Sequence, residues 1–180
     1  MCVSSVSGKP EPERRATNAA GLDVFDKTLQ TTHTWLDELM DELGPDRQLS
    51  WKVLSVVLQM LRDRLPLGLA MHLGAELPLL VRGAYYDQFQ PAKQPGDSDR
   101  DEFVAEVADR LSDTRPIDAH DAICLVFATL SRHVSRGQVA KIQATLPEKL
   151  RAMWRAAEER VVVPPDRGAA GMGRTPRCVT

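Results

Sequence analysis

Cysteine is scarce in this chain, and the residue spacings that are typical of metal-binding sites are lacking. The three cysteines among 180 residues are Cys2, Cys124 and Cys178, too few and too far apart for a disulfide framework or a metal-ligand cluster. The four histidines are His33, His72, His120 and His133. No two of them lie three or four residues apart, as a helical pair of ligands requires. The sequence therefore predicts no metal and no cofactor, and it predicts that Cys124 is a small buried hydrophobe.

A long apolar run and an excess of one charge are also lacking. No segment reaches the roughly 20 apolar residues that span a bilayer, and the N-terminal stretch MCVSSVSGKPEPERR has no apolar core of the kind found in secretory signals. The formal net charge of −2 and the pI near 6.1 give no general attraction for phosphate backbones or anionic lipids. We therefore expect a cytoplasmic protein that binds neither membranes nor nucleic acid.

Motifs for covalent catalysis are missing too. The sequence contains neither a nucleophile elbow nor a reactive-cysteine motif. The glycines form no phosphate-binding loop, because Gly68, Gly74 and Gly83 are isolated in helical segments, where glycine typically permits close contact between helices. The expectation is a protein without enzymatic activity.

Apolar residues at helical spacing are what the chain has in quantity, since 43% of its residues are hydrophobic. The pattern predicts helices over residues 24–43 and 49–65, then two shorter ones that end near Leu77 and Tyr86. We expect Asp23 to cap the first helix. Gly44-Pro45-Asp46 is expected to end the first helix and to cap the second, and Pro66 and Pro78 mark the boundaries of the next two helices. 

The first helix has an apolar and an acidic face. The apolar face consists of Phe25, Leu29, Leu36, Leu39, Met40 and Leu43, and the opposite face holds Asp37, Glu38, Asp41 and Glu42. Carboxylates in a last turn face the negative end of the helix dipole, so a nearby cation is expected, and Arg47 is the best placed. We expect Trp35 and Trp154 to pack in the core and Trp51 to be partly exposed.

The chain also resembles itself at an offset of 69 residues. Nine pairs agree in chemical type: Leu61 with Leu130, Leu65 with Val134, Gly68 with Gly137, Leu73 with Ile142, Ala75 with Ala144, Leu77 with Leu146, Pro78 with Pro147, Val81 with Leu150 and Tyr85 with Trp154. Agreement of this extent indicates an internal repeat. The predicted fold is therefore all-α, with two tandem helical repeats of three to four helices each packed into one compact bundle.

The predicted boundaries follow from this repeat. Residues 1–22 and 160–180 are expected to be flexible tails, residues 23–89 and 102–159 the two repeats, and residues 90–101 the linker between them. In the second repeat the pattern predicts helices over 103–111 and 119–133, separated by a turn that contains Pro116. Ser135 and Gln138 have the spacing of a capping box, which starts the next helix.

One stretch resembles a known family. The segment LRDRLPLGLAMHLGAELPLLVRGAYYDQF is similar to the bacterial and archaeal family catalogued as domain of unknown function 2267, clearly over residues 25–89 and more faintly over 102–154. The resemblance implies a compact all-helical bacterial protein with no assigned activity. Family members often have Gln before the Leu-Pro pair, where this chain has Glu76. If that position hydrogen-bonds a helix end, a carboxylate makes the bond depend on pH.

A polar and aromatic set stands out in the otherwise apolar first repeat. The candidate binding surface consists of Arg62, Asp63, His72, Glu76, Arg82, Tyr85 and Tyr86, with Arg64 beside it. In the structural interpretation, which the sequence favours, Arg62 and Arg82 pair with carboxylates such as Asp63 or Glu76 near helix ends. In the functional interpretation, Arg82 binds a carboxylate or phosphate while Tyr85 or Tyr86 stacks beside it.

Two hypotheses of function follow from these patterns. The first is a non-enzymatic protein-interaction or stress-associated module, with an unknown protein partner bound in a groove between the repeats or around Tyr85, Tyr86 and Phe89. The second is a small-ligand or anion sensor that uses Arg62, Arg82 and the two tyrosines. A helix-turn-helix role in nucleic-acid binding comes third, because the first helix is acidic. The oligomeric state is not predicted.

Overall fold

The computed structural model describes residues 23–91 and 99–162, which form eight α-helices and no strand. The helices are α1 (Asp23–Leu43), α2 (Arg47–Asp63), α3 (Leu67–Glu76), α4 (Leu79–Tyr86), α5 (Arg100–Arg110), α6 (Ala119–His133), α7 (Arg136–Thr145) and α8 (Glu148–Val162). The all-α prediction is confirmed. Residues 1–22, residues 163–180 of the C-terminal tail predicted at 160–180, most of the predicted linker, Cys2 and Cys178 lie outside the described residues. Residues 160–162 of that predicted tail belong to α8.

Local sequence signals place most helix boundaries. The Asp46 side chain accepts a hydrogen bond from the backbone N–H of Leu49 at 3.0 Å, which caps α2, and Asp118 caps α6 in the same way through His120. Gly44 follows α1 with a φ of +88°, a conformation that glycine adopts without the strain of a side chain. The predicted bounds of α6 are confirmed, and α2 begins two residues earlier than its apolar pattern indicated.

A single hydrophobic core joins all eight helices. Helix α2 packs against α1, α4, α5 and α6, whereas α6 also packs against α7 and α8. The largest side chains buried there are Trp35, Trp154, Tyr85, Phe103 and Phe127. The core predictions for both tryptophans and for Cys124 are confirmed, and Trp51 is half-buried as expected.

The first turns of α1 differ from the prediction. Phe25 and Leu29 were assigned to a buried apolar face, yet they are 57% and 47% exposed. No residue from Asp23 to Thr31 is buried, and Thr32 is the first that is. The prediction was wrong because periodicity identifies the apolar side of a helix but not how far the core extends beneath it.

Of the three glycines assigned to close helix contact, Gly74 alone has that role. A Cβ atom at Gly74 would overlap the Tyr86 hydroxyl oxygen, far inside van der Waals contact, so the Tyr86 ring of α4 packs over α3 at this position only because glycine has no side chain. A Cβ at Gly68 or Gly83 would meet nothing within 4 Å, and the assignment was wrong for those two.

Alanine substitutions test this difference. Gly74→Ala is expected to lower the free energy of unfolding by about 1–3 kcal/mol, because Tyr86 must move. Gly68→Ala and Gly83→Ala are matched controls, which should raise it by up to about 1 kcal/mol because alanine favours helix. Urea denaturation of the three variants measures both effects, and equal effects at all three sites would contradict the close contact at Gly74.

No helix of the described residues is long and apolar enough to cross a membrane.

Candidate functional site

The structure divides the predicted binding surface between the interior and the exterior. Arg62 and Tyr85 are buried, with 3% and 0% of their surface exposed. Asp63, Arg82 and Tyr86 are half-buried, and His72 and Glu76 are exposed. Arg64 is also buried and binds Glu106 at 2.8 Å. These residues therefore do not form one continuous surface.

Arg62 ties the end of α2 to the end of α4. Its Nε donates to Asp63 Oδ1 at 2.7 Å, which confirms the predicted ion pair, and its Nη1 donates to the backbone carbonyls of Tyr85 and of Asp87. The guanidinium also stacks on Phe89, with 4.7 Å between Cζ and the ring centroid. These contacts satisfy carbonyls that the helix leaves free at its end.

Arg82 binds the end of α3 and not a carboxylate. Its Nη2 donates to the carbonyl oxygens of Ala75 at 2.8 Å and Leu77 at 3.0 Å. The predicted ion pair between Arg82 and Glu76 was wrong. The last carbonyl groups of a helix lack intrahelical hydrogen-bond partners, so they bind a guanidinium group in place of a carboxylate.

Arg151, which no sequence motif indicated, makes the same contacts at the end of α7. Its Nη2 donates to Ala144 and Leu146, at 3.3 and 3.0 Å. All three residues stand 69 positions after Arg82, Ala75 and Leu77. The repeat offset was thus the signal that would have found this arginine.

Glu76 connects α3 to the start of α7. Its carboxylate accepts hydrogen bonds from the Ser135 backbone N–H at 2.7 Å and from the Ser135 hydroxyl at 2.9 Å. Glu76 thereby takes the role predicted for Gln138, whose side chain donates instead to the carbonyl of Leu69. The other half of the capping box is confirmed, since Ser135 Oγ accepts from the Gln138 N–H. Glu76 does bond a helix end, and the pH dependence of that bond stays a prediction.

Tyr85 is a structural residue of the core. Its hydroxyl donates to the carbonyl oxygen of Ala70 at 2.8 Å, which links α4 to α3. Burial, together with the neighbouring Tyr86, raises the pKa of Tyr85 well above its usual value of 10.0. Tyr85 therefore remains a neutral donor in the folded protein at pH values where it ionises in the unfolded chain.

This raised pKa predicts a loss of stability at alkaline pH. The contribution of Tyr85 is fully present below pH 10 and falls as the pH rises above it, by about 1.4 kcal/mol per pH unit. Tyr85→Phe should be less stable than the wild type at pH 7 because it lacks the bond to Ala70, and the difference should shrink above pH 10. Urea denaturation across that range tests it, and a difference that stays constant would contradict the raised pKa.

Glu38 in α1 is bound by two side chains of α6, Arg132 and His133. Its carboxylate oxygens lie 3.0 Å from Arg132 Nε and 2.7 Å from His133 Nε2, and the His133 ring stacks on Trp35. Burial alone would raise the pKa of Glu38, but the hydrogen bond and charge of His133, together with Arg132, outweigh it and hold the pKa below its usual value. These contacts join α1 to α6.

Two arginines lie at the acidic end of α1. Arg47 is 3.4 Å from Asp37, which confirms the predicted partner, and Arg115 donates to the carbonyl oxygen of Leu43. They border an open depression of about 460 Å³ formed by the α1–α2 connection. Because both arginines already have partners within the chain, this depression does not present a free cation pair to an anion.

Within the described ranges, no group of three His, Cys, Asp or Glu side chains is placed to hold a metal ion.

The feature that most resembles a binding site is a set of large apolar side chains in contact with solvent. On α3 and α4 these are Leu67, Met71, Leu79 and Leu80, between 41% and 56% exposed, and we call them the α3–α4 apolar face. On the first turns of α1 they are Val24, Phe25 and Leu29, which we call the α1 stripe. Among the residues that the structure describes, no large apolar side chain of α5 to α7 is similarly exposed.

The sequence pattern alone does not distinguish the α3–α4 apolar face from the core. Apolar spacing groups Met71 with the buried Leu73 and Leu77, and it groups Leu79 and Leu80 with the buried Val81. Both helices are so rich in apolar residues that the pattern does not separate the buried side from the exposed one.

Comparison with known proteins agrees with the resemblance found in the sequence. The model of a family described as "Uncharacterized conserved protein (DUF2267)" matches residues 32–153. The match begins at Thr32, the first buried residue of α1, and ends within α8. No curated protein matches the chain.

Proposed function

Since the chain belongs to the DUF2267 family, whose description assigns no activity, we propose a function from its own surface: a non-enzymatic module that binds a protein partner through the α3–α4 apolar face. The observation that carries this proposal is the concentration of exposed large apolar side chains on α1, α3 and α4. A concentration of large apolar side chains in contact with solvent is typical of an interaction site. A role in the bacterial cytoplasm, including an association with stress, is part of the same proposal.

We also propose that α1–α4 and α5–α8 are tandem repeats. Three features support this arrangement. Helices α3 and α7 have ten residues each, at an offset of 69, and the buried Leu73, Leu77, Val81 and Tyr85 stand opposite the buried Ile142, Leu146, Leu150 and Trp154. Arg82 and Arg151 make equivalent bonds to the carbonyls that precede them.

The repeat provides an internal comparison for the α3–α4 apolar face. The positions of Leu67, Met71, Leu79 and Leu80 correspond to Arg136, Ala140, Glu148 and Lys149, which are all exposed. Helices α7 and α8 therefore fold and pack with charged or small residues at these places. Because the fold does not need large apolar side chains there, binding is the better explanation for their presence on α3 and α4.

A variant designed from the repeat tests the proposal. It carries the second-repeat residues at all four positions of the face: Leu67→Arg, Met71→Ala, Leu79→Glu and Leu80→Lys. The control variant carries four changes at the corresponding exposed places of α7 and α8: Arg136→Gln, Ala140→Ser, Glu148→Gln and Lys149→Gln. We expect both to keep the circular dichroism spectrum of the wild type and a free energy of unfolding within about 1 kcal/mol of it, as surface changes usually do.

The readout is the set of proteins that co-purify with each tagged full-length chain. The wild type and the control variant should retain the same partner, and the face variant should lose it. If all three chains retain the same proteins, or if the control variant loses the partner as well, the α3–α4 apolar face is not the binding surface.

The alternative of a small-ligand or anion sensor has less support. The guanidinium groups of Arg62 and Arg82 bond to backbone carbonyls, and Tyr85 is buried with its hydroxyl bonded to Ala70. A ligand would have to displace these internal bonds. A nucleotide or metabolite that raises the melting temperature of the wild type, but not of an Arg82→Gln variant, would favour the sensor.

A further inference from the structure

We infer that the partner presents a basic amphipathic helix, whose apolar side docks across the α3–α4 apolar face and the α1 stripe and whose basic edge meets the carboxylates of α1. This inference rests on the proposed function and adds the chemistry of the partner to it.

The two apolar groups lie on neighbouring helices. Helix α4 packs against both α1 and α3, so the helices that carry the α1 stripe and the α3–α4 apolar face are direct neighbours in the fold. Helix α1 buries Thr32, Leu36 and Leu39 in the core. Phe25 and Leu29 of the α1 stripe extend this run towards the start of the helix, with the same spacing of three or four residues. The first nine or so residues of α1, a length of roughly 13 Å, therefore have the apolar spacing by which helices pack together. No helix of the described chain packs against them. A helix of another molecule has the matching shape.

The charge beside these apolar groups is negative. Asp23 and Asp26 flank Phe25 and are exposed. Residues 23–91 contain ten carboxylates and six lysines or arginines, and Arg62 and Arg64 are buried. On α1, α3 and α4, which are fully described, Lys27 is the one exposed lysine or arginine, since Arg82 is half-buried and bonded to carbonyls. A partner helix with lysine or arginine along its edge is complementary to this surface.

The same charge argues against the other occupants. A second copy of this chain would bring its own Asp23 and Asp26 towards those of the first, and like charges oppose such a contact. Nucleic acid and anionic lipid carry the same sign of charge and are opposed for the same reason. The basic protein helix is thus the occupant that both the shape and the charge of the surface favour.

Two synthetic peptides test the inference directly with the full-length protein. Both are amphipathic helices of about 18 residues, or five turns, with the same leucine face, and one carries lysine and the other glutamate on its polar face. Fluorescence anisotropy should show binding of the leucine–lysine peptide, with affinity that falls as salt rises from about 0.05 to 0.3 M. The leucine–glutamate peptide should bind at least about tenfold more weakly, since its charge repels the acidic edge.

Matched variants separate specific docking from general attraction to an acidic protein. The pair Asp23→Asn and Asp26→Asn should weaken binding of the leucine–lysine peptide by about threefold or more, as expected for two rim charges. The pair Phe25→Ser and Leu29→Ser should weaken it by about tenfold or more, because both side chains would be covered by the peptide. The pair Glu102→Gln and Asp109→Asn removes the same charge from exposed places on α5 and should leave binding unchanged.

Several results would overturn the inference. The first is that the two peptides bind with equal affinity, and the second is that the charge variants of α1 and α5 change peptide binding equally. The third is that the wild type forms a dimer in sedimentation equilibrium and that the Phe25→Ser and Leu29→Ser pair abolishes this dimer. The outcomes also separate this inference from the proposed function. If the face variant loses its cellular partner while the Asp23→Asn and Asp26→Asn pair keeps it at full affinity, the surface stands and the basic partner does not.

Discussion

Trp154→Ala should lower the free energy of unfolding by about 3–5 kcal/mol, a large share of the stability of a typical domain. The Trp154 ring is fully buried in α8 and stacks on Phe127 with 4.2 Å between ring centroids. Its indole N–H donates to Ser131 Oγ at 2.8 Å, so alanine would leave a cavity and remove this hydrogen bond, although the Ser131 hydroxyl keeps its bond to Glu158. Urea denaturation measures the loss.

Two further variants make this prediction specific. Trp154→Phe keeps most of the buried apolar surface and should cost about 1–2 kcal/mol, which is the part due to the hydrogen bond and the smaller ring. Trp51→Ala removes the same kind of side chain from a half-buried position and should cost less than Trp154→Ala. If the two alanine variants were equally destabilised, the deeper burial of Trp154 would not be the cause of its large effect.

Arg62→Met is the second substitution with a large expected effect, a loss of about 2–4 kcal/mol. Methionine fills a similar length of the interior but leaves the carbonyls of Tyr85 and Asp87 without the donor that now reaches them. It also leaves Asp63 without its ion pair, although that carboxylate is 38% exposed and contributes less for that reason.

The control for Arg62 is another arginine. Arg110→Met changes an exposed residue at the end of α5 and should alter the free energy of unfolding by no more than about 0.5 kcal/mol. Arg62→Lys should recover only part of the loss, because an ammonium group cannot present the forked donors that reach two carbonyls. A full recovery by lysine would show that charge alone matters at this position.

Boundaries marked by local signals were predictable from the sequence. The bounds of α6 were found because Asp118 and Ser135 are strong caps on either side of an apolar period, and local caps act through neighbouring residues only. The burial of Trp35, Trp154 and Cys124 was predictable for a related reason, since each lies on the apolar side of an amphipathic helix.

Features that depend on the tertiary arrangement were not predictable. The exposure of Phe25 and Leu29 depends on where the core ends, and the partner of Arg82 depends on free carbonyls that side-chain spacing does not reveal. Glu76 bonds Ser135 across 59 residues of sequence, a contact that only the packing of α3 on α7 creates. For the same reason, the exposed side of α3 and α4 became apparent only in the folded chain.

The central claim is that α3 and α4 carry a binding surface that α7 and α8 lack. Site-specific photo-crosslinking in living cells tests it most directly, with a photoreactive amino acid placed either at Leu80 or at Lys149, the corresponding exposed position of α8. We predict that the residue at position 80 forms a crosslink to another protein and that the residue at position 149 does not. Crosslinks of equal yield from both positions, or from position 149 alone, would contradict the claim.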